Sequence, residues 1–262
     1  ITSSSYESSA LELKKNGCVI IKNILSEKEC KKIIKLKNEL NLKLIMINEL
    51  DQAKTEYNYL PLTKELEKIW LNVELIDFFS NYFEKKAMAS TFPHIHQVSP
   101  NLGYTPSNKS AAFSQINSSW HYDIPLTLTS FILLNNVDIK SSHTQYIKGS
   151  HKYHNVNITS EDRYLSDEYV KKRKHEIIDL TGNIGDLVVF DGAGFHRLFN
   201  VANSKRIALK YEVSCGGRLE LNYLKIVNLL RNNSDIETYD ASQRFFLNGL
   251  LPKGNFDFKD QN

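Results

Sequence analysis

Cysteine is scarce in this chain of 262 residues: there are three, Cys18, Cys30 and Cys215, and no two have C-x-x-C spacing. An odd number without thiolate spacing argues against a disulfide framework and against a cysteine zinc site, and points to a reducing compartment, the cytoplasm. Long apolar runs are missing too. None approaches the roughly 20 residues needed to cross a bilayer, and the opening ITSSSYESSA lacks the apolar core of a secretory signal. The first residue is Ile rather than Met, so further residues are expected upstream of it. A dominant charge is also absent: 33 basic against 30 acidic residues leave +3, which supplies no global field to attract nucleic acid or an anionic membrane. Pairs such as Lys31-Lys32 and Lys171-Lys172 read as solvated helix faces. With no internal repeat, low-complexity tract or linker, residues 1–262 read as one domain.

What is present is core-forming material, 41% hydrophobic with 11% aromatic residues. SALELKKNG reads as a short helix closed by Gly17, and CVIIKNI as a strand. Ser26 and Glu29 have the spacing of a capping box at the start of SEKECKKIIKLKNEL. Residues 63–70 and 73–86 repeat apolar positions every three or four residues, which makes the first part, about 1–86, helical. From about 87 to 215, short β-rich segments alternate with Gly, Asn, Ser and Asp turns, the pattern of an antiparallel sandwich or barrel. Residues 163–174 read as a helical insertion and 219–230 as helix within a tail of about 216–262. The expected fold is therefore mainly β with flanking helices, a double-stranded β-helix of the jelly-roll, cupin-like kind.

The tripeptide His121-Tyr122-Asp123 lies between two strand-like segments, so alternation puts His121 and Asp123 on one face and Tyr122 on the other. Alone, an H-x-D match proves little. A third ligand belongs on a distant strand, and His196 suits it: in GDLVVFDGAGFHRLFN a buried strand runs through a glycine turn into a second strand that His196 opens. Taken singly, without His121 and Asp123, His196 reads first as a satisfied core histidine. Ten residues on, Arg206 begins the apolar strand RIALKYEVS. An Arg so placed either snorkels to solvent or meets an anion with its guanidinium fork, and a dicarboxylate bound at a metal by its other end suits the second case. Two His and one carboxylate on one face leave open metal positions, as in non-haem Fe(II) oxygenases; zinc hydrolases use similar ligands but need no distal Arg.

Together these segments resemble the phytanoyl-CoA dioxygenase family of Fe(II)/2-oxoglutarate oxygenases. LKKNGCVIIKNILSEKECKKI is similar to the family's opening helix, strand and helix, WHYD to its metal motif, TQYIKGSHKYH to the segment that usually reads PGSHK, and GDLVVFDGAGFHRLFNVANSKRIAL to the stretch with the distal His and Arg. The resemblance implies that His121, Asp123 and His196 bind Fe(II) and that Arg206 binds the 5-carboxylate of 2-oxoglutarate. It implies a reaction of 2-oxoglutarate and dioxygen, giving succinate and CO2, that hydroxylates an unactivated C–H bond of a small molecule. Gln115 resembles a position lining the cosubstrate or substrate pocket, and Asp123 sets the site apart from related halogenases, which have a small residue there. Lys148 replaces the family's usual Pro before Gly149-Ser150-His151, so that loop is expected to be shaped differently.

His94 and His96 alternate in TFPHIHQV and share a face; they, with Asn117 and Tyr122, are candidates for contact with substrate. His151 and His154 belong to a loop outside the metal shell, and Tyr211 and Cys215 read as packing. The expected partner is a small polar metabolite, amino acid or sugar; the residues do not fix an oligomeric state. Two other readings stay open: a jelly-roll binding protein that holds metal without catalysis, and a non-oxidative zinc or manganese enzyme of the cupin class.

Overall fold

Gly17 ends the first helix, α1 (Ser3–Asn16), with φ +78, a value that costs a side chain dearly. Its N–H returns to the Leu13 carbonyl at 2.7 Å, and the chain passes straight into β1 (Cys18–Ile21). Helix α2 (Glu27–Glu39) opens with the expected capping box. The Glu29 carboxylate accepts from the Ser26 N–H at 2.8 Å, and the Glu29 N–H donates to Ser26 Oγ at 3.3 Å. The computed structural model describes residues 3–39, 46–48, 53–59, 64–91, 93–100, 119–123, 126–153, 165, 167–199, 201, 204–215 and 239–248.

After α2 come β2 (Met46–Asn48), β3 (Ala53–Tyr59), α3 (Lys64–Trp70) and α4 (Val73–Phe83). The expectation of a helical first part needs correction here: besides the expected strand β1, β2 and β3 also join the sheet. In AKTEYNY the strand signal is short and polar, and it is pairing with β5 from Ala53↔Pro100 to Tyr59↔His94 that makes it a strand. The rest is β4 (Met88–Ala89), β5 (His94–Pro100), β6 (Thr127–Leu133), β7 (His143–Ile147), α5 (Asp167–Lys172), β8 (Ile177–Leu180), β9 (Leu187–Asp191), β10 (His196–Phe199), β11 (Arg206–Ser214) and α6 (Ala241–Asn248). The expected insertion helix is thus present as α5. The expected helix at 219–230 lies outside the described residues.

Among the described residues, one sheet runs β1-β9-β6-β11-β5-β3-β2, with β4 beside β11, and a second runs β10-β7-β8. Their pairings are antiparallel. The mainly β, jelly-roll fold expected from the sequence is the fold observed. Strands β6 and β9 are buried on both faces, which is why β9 reads as a nearly continuous apolar run and the polar residues of β6, Thr127, Thr129 and Ser130, are small. Leu128, Ile132, Val189, Leu209, Tyr211 and Val213 pack outward against the helices. Phe131, Leu133, Val188, Phe190 and Ala208 point inward and pack with Tyr146 and Leu180 of the smaller sheet. Cys18 and Cys30 are buried thiols whose pKa burial pushes up to about 12 and about 11, the behaviour of packing groups rather than nucleophiles. Among the described residues no helix is long and apolar enough to cross a membrane.

The helical layer is fixed to the sheet by aromatic contacts. Phe79 of α4 is 1% exposed and stands edge-on to Tyr211 of β11 at 6.2 Å. Phe79→Ala is expected to cost about 3–5 kcal/mol, observed as a lower urea midpoint with an unchanged denaturant slope.

Candidate active site

The site is built where the chain before β6 meets the start of β10. His121 and His196 form an isolated antiparallel bridge: the His121 N–H donates to the His196 carbonyl at 3.0 Å, and the His196 N–H to the His121 carbonyl at 2.8 Å. Two residues on, the Asp123 N–H donates to the Gly192 carbonyl at 2.6 Å. Extended backbone then turns the side chains of His121 and Asp123 to the same side.

Each imidazole is held by its Nδ1. That of His121 is 2.7 Å from the Ser119 carbonyl, and that of His196 is 2.9 Å from the Gly194 carbonyl. A carbonyl only accepts, so both Nδ1 atoms carry hydrogen, and the free lone pair of each ring in its neutral form is the one on Nε2. One donor atom from each of His121, Asp123 and His196 lies within 4.8 Å of the other two. His196 Nε2 and Asp123 Oδ2 are 3.3 Å apart. Two acceptors that close repel unless a cation lies between them, either a proton on His196 or a metal ion that displaces it. Burial opposes the charge on Asp123, yet the hydrogen bond with His196 and the fields of His196, His121 and Lys210 outweigh it and hold the carboxyl well below the usual range. A hard oxygen and two imidazole nitrogens on one side of an otherwise open position suit a divalent transition metal. These residues fit such an ion.

Arg206 opens β11 and is buried on its inward face. Its Nη1 donates to Thr144 Oγ1 at 2.9 Å, its Nη2 lies 3.3 Å from His96 Nδ1, and the guanidinium carbon sits 4.8 Å from the Phe131 ring centre. Burial, then the charges of Arg206, Lys210 and His94, push the His96 pKa well below its ordinary value, so neutral His96 accepts from Arg206 and steadies its fork. His94 and His96 share the inward face of β5, opposite Lys210 and Ala208 of β11. Both are buried, so His96 serves the Arg206 end directly. Tyr122 differs from its expected place at the substrate: alternation sends it away from His121 and Asp123, into a cluster with Trp120, Ile147 and Phe195. Gln115 and Asn117 lie outside the described residues.

Sequence reading missed what holds the turn before His196. In the Gly149-Ser150-His151 segment, Ser150 Oγ accepts from the Phe195 N–H at 2.8 Å, and the Ile147 N–H donates to the Phe195 carbonyl at 2.9 Å. The segment therefore supports the turn that presents His196. His151 stays out of the donor set, as expected, bonding the Lys14 carbonyl at 3.1 Å. Lys210 and Glu212 were also missed, although alternation from Arg206 would have put them on its face.

Gly194 is required for proximity rather than dihedral angle. A Cβ there would come within 1.6 Å of the Tyr146 hydroxyl, and Tyr146 is 0% exposed, so it cannot swing aside. Gly194→Ala should displace the carbonyl that holds His196 Nδ1 and weaken metal affinity about tenfold or more, measured by competition with a chelator, while the far-ultraviolet dichroism stays that of the unaltered fold.

Solved structures share this fold. The epimerase SnoN from nogalamycin biosynthesis, solved with Fe3+, alpha ketoglutarate and nogalamycin RO, superposes with a TM-score of 0.61 at 11% identity, covering 82% of this chain and 86% of its own. The alpha ketoglutarate dependent carbocyclase SnoK, from the same biosynthesis, gives 0.54 at 16% identity, covering 85% and 90%. HygX from Streptomyces hygroscopicus, solved with nickel, 2-oxoglutarate and hygromycin B, gives 0.54 at 11%, covering 81% and 90%. At these identities the likeness is one of fold. No curated protein matches the chain in sequence. The phytanoyl-CoA dioxygenase (PhyH) family model matches residues 13–207, a span that takes in His121, Asp123, His196 and Arg206, and the chain belongs to that family.

Proposed function

We propose that this protein is an Fe(II)- and 2-oxoglutarate-dependent oxygenase that hydroxylates an unactivated C–H bond of a small molecule. The observation that carries the reading is the convergence of His121, Asp123 and His196 with both Nδ1 atoms tied to carbonyls, on the same interior as the buried Arg206 fork. His121 and His196 would hold Fe(II) by Nε2, and Asp123 would bind it by a carboxylate oxygen and offset part of its charge. Arg206 would take the far carboxylate of 2-oxoglutarate, with Thr144 and His96 keeping its fork in plane. Bound there with 2-oxoglutarate and dioxygen, Fe(II) supplies an oxidant able to break a C–H bond, with succinate and CO2 as coproducts. Phe131 and Phe190, stacked at 6.1 Å, form an apolar wall beside Arg206 and His196.

SnoN and SnoK are named for epimerisation and carbocycle formation, so the second reading is the same C–H removal without oxygen transfer. Asp123 favours hydroxylation over halogenation, because a filled carboxylate position leaves no place for halide. The chain is proposed to be one catalytic domain. The free thiols suit the cytoplasm, which is the location proposed.

Two measurements follow. Arg206→Lys keeps the charge and loses the fork, so 2-oxoglutarate affinity should fall by about an order of magnitude; equal affinity on titration returns Arg206 to a packing role. Under isotopically labelled dioxygen, product should gain one labelled oxygen per succinate formed. Product without label, or turnover without dioxygen, contradicts hydroxylation.

A further inference from the structure

Arg206 is not the only charge on the inward face of β11. Alternation puts Arg206, Ala208, Lys210 and Glu212 on one side of that strand, and Lys210 stands opposite His94 of β5 and Phe131 of β6. Lys210 Nζ is 3.0 Å from Glu212 Oε1, with the two side chains 19% and 18% exposed. The Lys210 ammonium lies 5.9 Å from the centre of the Phe131 ring, and the Arg206 guanidinium 4.8 Å from the same centre. Phe131 stacks on Phe190, whose ring is 4.7 Å from that of His196. One aromatic wall thus links Arg206, the Lys210–Glu212 pair and the three metal donors. An ion pair on such a wall costs more desolvation than apolar side chains of the same size. It does, however, give the interior two unlike ends: a guanidinium fork at Arg206, and a cation beside an anion at Lys210.

We propose that Lys210 and Glu212 recognise the substrate of the oxygenase, and that this substrate is a zwitterion of the amino-acid class, its carboxylate meeting Lys210 and its ammonium meeting Glu212. This rests on the Fe(II)/2-oxoglutarate reading, which puts the substrate in the same interior. A ligand with only a carboxylate would take Lys210 and face Glu212 with like charge; one with only an ammonium would do the reverse; a zwitterion satisfies both. The same contrast sorts the two acids that must bind together. Doubly anionic 2-oxoglutarate is repelled by Glu212 and accepted by the bidentate fork of Arg206, whereas the point charge of Lys210 is left to the substrate. Positions 210 and 212 lie beyond the stretch matched by the family model, which ends at 207.

The test uses the full chain loaded with Ni(II) and 2-oxoglutarate, with uptake of both measured first by titration. Thermal unfolding is then followed with each of the common amino acids, with the amine and the carboxylic acid that share its carbon skeleton, and with neutral sugars. At least one amino acid should raise Tm by several degrees where its amine and acid do not. The Lys210→Met/Glu212→Leu double variant, once titration has shown that it is loaded with Ni(II) and 2-oxoglutarate, should lose that shift, and Glu212→Gln, which keeps the shape, should move the preference from the amino acid to the matching acid. The proposal is overturned if no amino acid stabilises the protein, if an amine, acid or sugar does so equally well, or if Glu212→Gln leaves the preference intact. Failure to take up Ni(II) or 2-oxoglutarate before any amino acid is added overturns the oxygenase reading itself, and this inference with it.

Discussion

The site depends on two backbone hydrogen bonds, those exchanged by His121 and His196. They join a segment that precedes β6 to the first residue of β10, and they bring the two rings to a centre-to-centre distance of 4.5 Å. Everything else in the donor set hangs on that bridge. Asp123 comes to the same side because it follows His121 by two residues, and Gly192 fixes its backbone. The carbonyls of Ser119 and Gly194 then select one tautomer of each imidazole, so the Nε2 lone pairs that would take a metal are set in advance. This preorganisation is local in geometry and long-range in sequence. It needs the jelly roll to carry β10 back to the strand entering β6.

Strand β11 supplies the second part of the interior. Its outward residues, Leu209, Tyr211 and Val213, bury against the helices, while its inward residues are charged or small. Burial has a different consequence for each inward group. It leaves Arg206 charged, since a guanidinium keeps its proton under any ordinary condition, and it leaves His96 neutral beside it. A permanently charged donor and a neutral acceptor make a stable pair whose plane is fixed by Thr144. Further along the same face, Lys210 and Glu212 form an ion pair at 3.0 Å.

Much of this was legible in the residues. Alternation in His121-Tyr122-Asp123, the glycine turn before His196 and the Arg in an apolar strand each signal something alone, and their sum pointed to the site that the fold assembles. The capping box at Ser26 and Glu29 was equally plain, because its physics is confined to one helical turn. What escaped depends on partners distant in sequence. AKTEYNY carries little strand signal, and pairing with β5 makes it one. Ser150 was read as part of a loop beside the site, whereas its hydroxyl holds the Phe195 amide. Tyr122 was given a place at the substrate although its own alternation sends it to the opposite face, where Phe195 covers it edge-on at 5.7 Å.

The most direct test of the central claim is anaerobic titration of Fe(II) into the full chain and into His196→Ala, with far-ultraviolet dichroism recorded on both. A metal centre built on the His121–His196 bridge predicts about one Fe(II) per chain for the unaltered protein and none at the same concentrations for a folded His196→Ala. Iron uptake in that variant equal to that of the unaltered protein would contradict it.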